Sequence, residues 1–232
     1  ACGVLEVTAG TLSEKGLHKG EKVEVPETTE KAVKKGFWVN LVLAAFWFFL
    51  AVNMVPNLIA GEAGPSAYML FAVNTLIAVL FLTRREEVHV TESSRDRLVT
   101  LVCILLSFSL RPAAGASLIP LVWESSFLTV SLLLVFAAYL NLGRSFGLIP
   151  ADRGLKLGGL YGWVRHPLYG AEMLFFVSFL MANFTLRNFV FIVGIFLSLH
   201  MRALAEERLL ARDPAYEKYC LRIRKRYIPY LV

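Results

Sequence analysis

The apolar stretch FWVNLVLAAFWFFLAVNMVPNLI covers residues 37–59 and carries no Asp, Glu, Lys or Arg. A helix needs about 20 predominantly apolar residues to cross a bilayer, and this stretch is long enough. Asn53 and Pro56 lie near its end. They predict that the helix stops or bends there, because proline interrupts helical hydrogen bonding. The stretch therefore predicts a membrane-spanning helix.

The composition of the whole chain agrees with a membrane protein. Of 232 residues, 56% are hydrophobic and 18% are charged, and the mean hydropathy is +0.59. Ordinary soluble domains have about 25% charged residues. Here the charged residues cluster at the N-terminus, in two internal loops and near the C-terminus. A bilayer favours such segregation, because a charge at its centre is costly.

Five further apolar runs follow the first, at residues 67–83, 98–110, 123–142, 167–181 and 186–200. We predict an all-α polytopic membrane bundle with five to six transmembrane helices. The last two helices are expected to form a helical hairpin, because only a short polar link separates them. A cytoplasmic helical segment is expected to follow at the C-terminus.

Three regions follow from this division. We predict a polar cytoplasmic tail at 1–36, N-terminal transmembrane helices at 37–122, and a region at 123–232 that holds the candidate chemistry. In the tail, a short β-structured piece around Val23–Val25 and a surface helix from Thr28 to Lys35 are both open alternatives.

The positive charges predict the orientation. With the N-terminus in the cytoplasm and six spans, 22 of the 24 Lys and Arg residues lie on the cytoplasmic side, leaving only Arg111 and Arg187 on the other. Cytoplasmic loops of membrane proteins carry such an excess. The net charge of +6 therefore indicates contact with the membrane rather than with nucleic acid. Both termini are expected in the cytoplasm.

Cysteine spacing indicates neither a metal site nor a disulfide framework. Cys2, Cys103 and Cys220 lie far apart and show no CxxC pair and no ligand spacing with the four histidines. We expect them to be packing or surface residues, and we expect no bound metal.

The first candidate cluster is LYGWVRHPLYGAE, residues 160–172. Pro167 suits the first position of a helix, with His166 at or near the cap. Such a helix start is a ready anion site beside Arg165. Flat aromatic faces suited to an adenine ring or a sulfonium cation come from Tyr161, Trp163 and Tyr169.

Glu172 lies one turn further into an otherwise apolar helix. An ionisable group within a membrane span is a candidate functional residue, because burying it is costly. The alternative is that it pairs with an arginine and holds helices together.

The second cluster follows the last apolar run and comprises Arg202, Glu206, Glu207 and Arg208. Arg202 and Glu206 are four residues apart and could simply pair on a solvated helix face. The short link of the hairpin nevertheless predicts that both clusters return to the same membrane face. His200 ends the last apolar run, and we expect it either to cap the helix or to act as a base.

Taken together, these residues resemble the isoprenylcysteine carboxyl methyltransferase family and the broader group of phospholipid and isoprenylcysteine membrane methyltransferases. The resemblance covers about residues 125–230. It rests on the Arg165-His166-Pro167-x-Tyr169 motif, the hairpin, Glu206-Glu207-Arg208, Tyr216, Tyr219 and the terminal RYIP at 226–229.

The resemblance implies a helical membrane enzyme that binds S-adenosylmethionine at the cytoplasmic face and methylates a lipid or prenylated substrate from the bilayer. It implies cofactor binding by Glu206, Glu207 and the motif residues Tyr161, Arg165, His166, Pro167 and Tyr169. One departure concerns Gly170, which precedes Ala171-Glu172 where relatives commonly have Tyr-x-Gly-Glu. The small residue has therefore moved by one position.

The acceptor atom (O, N or S) stays open at this point. A carboxylate acceptor would need only a cation such as Arg165 or Arg202 to orient it. An amine or thiol would need a base, for which Glu172, His166 or His200 are available. The alternatives to a methyltransferase are an NADPH-dependent reductase of the sterol-reductase type and a non-enzymatic membrane transporter or scaffold.

Overall fold

The computed structural model describes residues 4–5, 23–24, 27–61, 63–85, 89–91, 93–113, 115–149, 151–152 and 156–228. Within these ranges the protein consists mainly of α-helices, joined by turns and a few two-residue strands. In chain order the elements are β1 Val4–Leu5, β2 Val23–Glu24, α1 Glu27–Val52, α2 Val55–Ile59, α3 Pro65–Thr83, β3 His89–Val90, α4 Ser94–Ser109, α5 Leu121–Leu142, β4 Ala151–Asp152, α6 Pro167–Ala182, α7 Leu186–Leu210 and α8 Pro214–Arg222.

A helix lies at each of the six apolar runs, which confirms the helical prediction. The first run breaks at Asn53 and Met54, between α1 and α2, in the region where proline predicted a stop. The boundaries differ where local capping decides them. For example, α4 begins at Ser94, earlier than predicted, because the Ser93 side chain accepts a hydrogen bond from the Asp96 N–H. Helix α7 continues ten residues beyond His200, so the expectation that His200 caps its end is wrong.

In the described part of the chain, four helices are long and apolar enough to cross a membrane: Gly36–Ile59, Pro65–Thr83, Leu121–Ser145 and Leu186–Leu210. The helix Pro167–Ala182 is also apolar but shorter. Many large apolar side chains of these helices are exposed, such as Trp38, Val79 and Leu197. Exposed apolar faces of this kind are what contact with lipid requires.

The chain divides into two compact units, Ala1–Leu43 and Ala44–Val232. In the first unit, β1 pairs with β2 antiparallel, with Val4 opposite Glu24 and Leu5 opposite Val23. Both alternatives for the tail therefore occur in part. Val23 belongs to a strand, whereas Thr28 to Lys35 lie within α1. Val25 falls outside the described residues.

In the second unit, α5 packs against α3 and α6, and α4 packs against α7. Phe146, which follows α5, is buried against Phe81 and Tyr139, with ring centroids 5.0 and 5.4 Å away. Another part of the core joins Cys103 of α4 to Tyr169, Ile195 and Leu199 of the hairpin. These contacts hold in place the parts of α5, α6 and α7 that carry the candidate residues.

The hairpin of α6 and α7 confirms the predicted antiparallel pair. Its link is fastened to the segment after α4. Asn183 Oδ1 accepts from the Ala113 N–H at 2.9 Å. Asn188 Nδ2 donates to the carbonyls of Arg111 and Asn183 at 2.9 and 2.8 Å. These bonds set the two helices side by side, and so bring their polar ends together.

The loop between α3 and α4, one of the two charged internal loops, contains a short strand. β3 pairs antiparallel with β4, with His89 opposite Asp152 and Val90 opposite Ala151. The Arg85 N–H donates to the Arg144 carbonyl at 2.7 Å. The loops before α4 and after α5 are thereby tied together near the cleft described next.

Candidate functional site

A cleft lies between four helices: the start of α6, the end of α7, the C-terminal end of α5, and α8. Including the open solvent at its mouth, it encloses about 950 Å³. Its lining includes seven residues predicted from the sequence: Tyr161, Arg165, His166, Tyr169, Glu172, Arg202 and Glu206.

The start of α6 has the predicted geometry. Pro167 is at the first helical position and His166 is the N-cap residue. The N–H groups of Arg165 and His166 donate to the carbonyls of Lys225 and Arg226 at 2.9 and 2.8 Å. Part of the expected anion site is therefore occupied by the chain itself. We call residues 224–228 the tail strap.

Glu207 lies behind the cleft and holds three groups in place. Arg165 Nη1 and His166 Nε2 each lie 3.1 Å from its Oε1. From the tail strap, Arg226 Nε and Nη2 donate to its two carboxylate oxygens at 3.1 and 3.0 Å. Because Glu207 does not line the cleft, its contribution is to position Arg165 and His166 rather than to contact a ligand.

Glu206, the neighbouring carboxylate, does face the cleft. The Tyr169 hydroxyl donates to Glu206 Oε1 at 2.5 Å, and His166 Nδ1 lies 3.9 Å from Glu206 Oε2. The rings of His166 and Tyr169 are stacked with their centroids 5.6 Å apart. The acidic pair thus divides into one carboxylate in the cleft and one that supports it.

Buried polar atoms without partners concentrate in this cleft. In the described part of the chain, four buried side-chain atoms have no hydrogen-bond partner. Three of them belong to residues that line the cleft: Arg165 Nε, Arg202 Nε and the Tyr216 hydroxyl. Buried polar atoms are normally paired, so unpaired donors around a cleft point to a ligand that supplies the acceptors.

Tyrosine hydroxyls near the cleft are held in their neutral form. Burial raises the pKa of Tyr219 and of Tyr227 to about 12. Burial also raises the pKa of Tyr161 and of Tyr216. The Tyr219 hydroxyl can therefore donate to the Tyr161 carbonyl, at 2.7 Å, which fastens α8 to the segment before α6.

Glu172 and Arg202 lie at the inner end of the cleft and do not form the pairs considered above. The Glu172 carboxylate accepts a hydrogen bond from the Tyr139 hydroxyl at 3.1 Å. The Arg202 guanidinium carbon lies 5.2 Å from the centroid of the Tyr169 ring, and its Nη2 donates to the Leu148 carbonyl at 2.9 Å. Among the described residues, neither side chain has an oppositely charged partner within ion-pair distance. Among the described residues, the alternatives in which Glu172 pairs with an arginine and Arg202 pairs with Glu206 are therefore wrong.

Besides Glu207, three predicted residues lie away from the cleft lining. Trp163 is 66% exposed and does not contribute the expected flat face. Pro167 is buried at the helix start and acts on the site through the backbone. His200 is bonded through Nδ1 to the Tyr227 hydroxyl at 2.9 Å.

Sequence reasoning missed the residues that complete the site from outside the two clusters. They include Tyr139, Phe146, Leu148 and Lys156, all of which line the cleft. Tyr139 lies on an apolar helix, where a lone tyrosine gives no signal. Nothing local to Phe146 or Leu148 distinguishes them from other apolar residues.

The tail strap also explains the small residue at position 170. A Cβ atom added to Gly170 would lie 2.5 Å from the Tyr227 carbonyl oxygen. The close approach at this glycine is therefore to the protein's own C-terminal segment.

No model of a known protein family matches this chain, and a comparison with curated protein sequences finds no match either.

Proposed function

We propose that the protein transfers the methyl group of S-adenosylmethionine to a lipophilic acceptor, a lipid or a prenylated molecule, that reaches the cleft from the membrane. The observation that carries the proposal is the cleft where the two ends of the hairpin meet, with Arg165, Arg202 and Tyr216 each presenting a buried donor without a partner.

The lining fits the chemical groups of S-adenosylmethionine. The unpaired Arg165 donor suits the amino-acid carboxylate, and Glu206 suits the ammonium group. The aromatic faces of Tyr161 and Tyr169 suit adenine or the sulfonium cation. When bound, S-adenosylmethionine supplies an activated methyl group. The residues of the chain then have to orient the reactants and exclude water.

Binding of the reaction product tests this proposal directly. We expect S-adenosylhomocysteine to bind the purified full-length protein in detergent in a saturable calorimetric titration, and NADPH to give no saturable heat. Failure of a folded protein to bind S-adenosylhomocysteine would contradict the proposal, and tight NADPH binding would favour a reductase.

Glu207→Gln tests whether the site is correctly placed. Because Glu207 positions Arg165 and His166, we expect this change to weaken S-adenosylhomocysteine binding by about tenfold or more, which corresponds to at least about 1.4 kcal/mol. The matched control is Glu217→Gln, at an exposed position of α8. Equal affinity in the two variants would mean that the ligand binds elsewhere.

We also propose six membrane spans with both termini in the cytoplasm. The proposal is supported by the location of 22 of the 24 Lys and Arg residues in segments that this threading places inside. In a chain whose single cysteine is introduced by Leu118→Cys, we expect that cysteine to react with an impermeant maleimide in intact cells. In a second chain that keeps Cys220 as its single cysteine, Cys220 should react only after permeabilisation. The reverse pattern would refute this orientation.

A further inference from the structure

The inner end of the cleft carries a carboxylate that the binding of S-adenosylmethionine does not use. Glu172 projects from α6 and lines the cleft. The Tyr139 hydroxyl donates to its Oε1. Among the described residues, no Lys or Arg nitrogen lies within ion-pair distance of either oxygen. Its second oxygen is therefore available to a group bound in the cleft.

Arg202 provides an incompletely paired cation at the same end. It is buried, its Nη2 is used by the Leu148 carbonyl, and its Nε has no partner. Glu172 and Arg202 line the same cleft without forming an ion pair. The inner end therefore offers one proton acceptor and one positive charge to the same bound group.

Each of the two histidines near the cleft has a ring nitrogen held by a neighbouring side chain. His166 Nε2 is held by Glu207 at 3.1 Å. His200 Nδ1 is bonded to the Tyr227 hydroxyl at 2.9 Å, and His200 is absent from the described lining of the cleft. Glu172 is the carboxylate at this end that combines an open oxygen with a fixed position.

This arrangement discriminates between acceptor groups. Arg202 would attract a carboxylate acceptor, but Glu172 would repel it, since like charges in a shared site disfavour each other. Glu172 would likewise attract an ammonium group, and Arg202 would repel it. A neutral, weakly acidic X–H group meets neither penalty, since Glu172 can take its proton and Arg202 can stabilise the resulting anion.

Resting on the methyl transfer proposed above, we propose that the acceptor is a neutral lipophilic thiol or phenol and that Glu172 accepts its proton. The X–H proton moves to the open oxygen of Glu172, and the electron pair left on X forms the bond to the methyl carbon. The carbon–sulfur bond of the donor breaks, and its electrons return to sulfur to give the neutral thioether. Glu172 then releases the proton to solvent through the mouth of the cleft.

Four acceptors with chains of eight carbons test the class: octanethiol, 4-octylphenol, octanoate and octylamine. With the full-length protein and S-adenosylmethionine, we expect the thiol or the phenol to be methylated, and whichever of the two is faster identifies X. Octanoate and octylamine should react at least about tenfold more slowly. In calorimetry without the donor, octanoate should bind more weakly to the wild type than to Glu172→Gln, because the substitution removes the like charge.

Glu172→Gln separates proton transfer from packing. We expect kcat with the weakly acidic acceptor to fall by about 100-fold or more, while S-adenosylhomocysteine binding stays within about twofold of the wild type. Methylation of 4-nitrothiophenol, which is already ionised at neutral pH, should be largely retained. Glu217→Gln is the control and should leave all three readouts unchanged.

The outcomes separate the two proposals. Absence of S-adenosylhomocysteine binding to the folded wild type would overturn the methyl transfer and this inference with it. Binding combined with a preference for octanoate or octylamine would overturn the inference alone. If Glu172→Gln kept the wild-type kcat with the preferred thiol or phenol, the inference about Glu172 would also be overturned, and the methyl transfer proposal would stand. If that variant does not fold, the acceptor ranking of the wild type decides.

Discussion

At the scale of single residues, Gly170 shows how closely the C-terminal segment packs on the site. Its backbone conformation is that of an ordinary helix, so conformational freedom is not the reason for a glycine here. The reason is the Tyr227 backbone, whose carbonyl oxygen and carbon would lie 2.5 and 3.3 Å from an added Cβ atom. Backbone atoms cannot move aside as the end of a flexible side chain can.

We therefore expect Gly170→Ala to displace the tail strap. Overpacking of this kind typically costs about 1–3 kcal/mol, so the thermal midpoint in detergent should fall. S-adenosylhomocysteine binding should weaken by about tenfold or more, since the strap holds Glu207 and the start of α6. Gly158→Ala is the control, because its added Cβ would meet nothing within 4 Å. Equal behaviour of the two variants would contradict this account of the strap.

At the scale of elements, the α6–α7 hairpin depends on its link. Asn188 is 1% exposed. Its Nδ2 donates to two carbonyls, and its Oδ1 lies 3.4 Å from the Arg111 N–H. One side chain therefore joins the start of α7, the link and the segment after α4. The same link sets the register that brings His166 opposite Glu207 at the other end of the hairpin.

Asn188→Leu keeps the approximate size of the side chain but removes the donor of both hydrogen bonds. Each such hydrogen bond contributes about 0.5–1.5 kcal/mol, so we expect a total loss of about 1–3 kcal/mol and a lower midpoint of thermal unfolding. Ser126→Ala is the control, because the Ser126 hydroxyl bonds only to the Val122 carbonyl of its own helix. A midpoint as high as that of the control would show that the link does not depend on Asn188.

At the scale of the whole molecule, the tail strap connects distant parts of the second unit. It accepts hydrogen bonds from the backbone of Arg165 and His166, and it pairs with Glu207 through Arg226. The Tyr227 hydroxyl reaches His200. None of these bonds forms part of a helix, so the helices do not depend on the strap.

Deleting residues 224–232 should therefore abolish S-adenosylhomocysteine binding and leave the far-ultraviolet circular dichroism nearly unchanged. The same two measurements on a chain that ends after Ile228, which retains the bonds described above, provide the control. Binding by the shorter chain at the affinity of this control would show that the strap does not organise the site.

Much of the helical framework is predictable from the sequence because it depends on local properties. Apolar runs of sufficient length give helices, and Pro167 marks the start of α6 because the first helical position needs no N–H donor. The shortness of the link after α6 is also visible in the sequence. It is enough to predict that the two polar clusters lie near each other.

Only the tertiary structure decides what each polar group contacts. Tyr139 and Glu172 are 33 positions apart, and no local pattern joins them. Glu206 and Glu207 are neighbours in sequence, yet one faces the cleft and the other binds Arg226 of the strap. Trp163 belongs to the predicted motif but is exposed. The apolar runs determined where the helices lie, because burial and lipid contact act on each helix separately. The partners of Glu172, Arg202 and Gly170 depend on how distant segments pack. The spacing of residues along one helix carries no information about that packing.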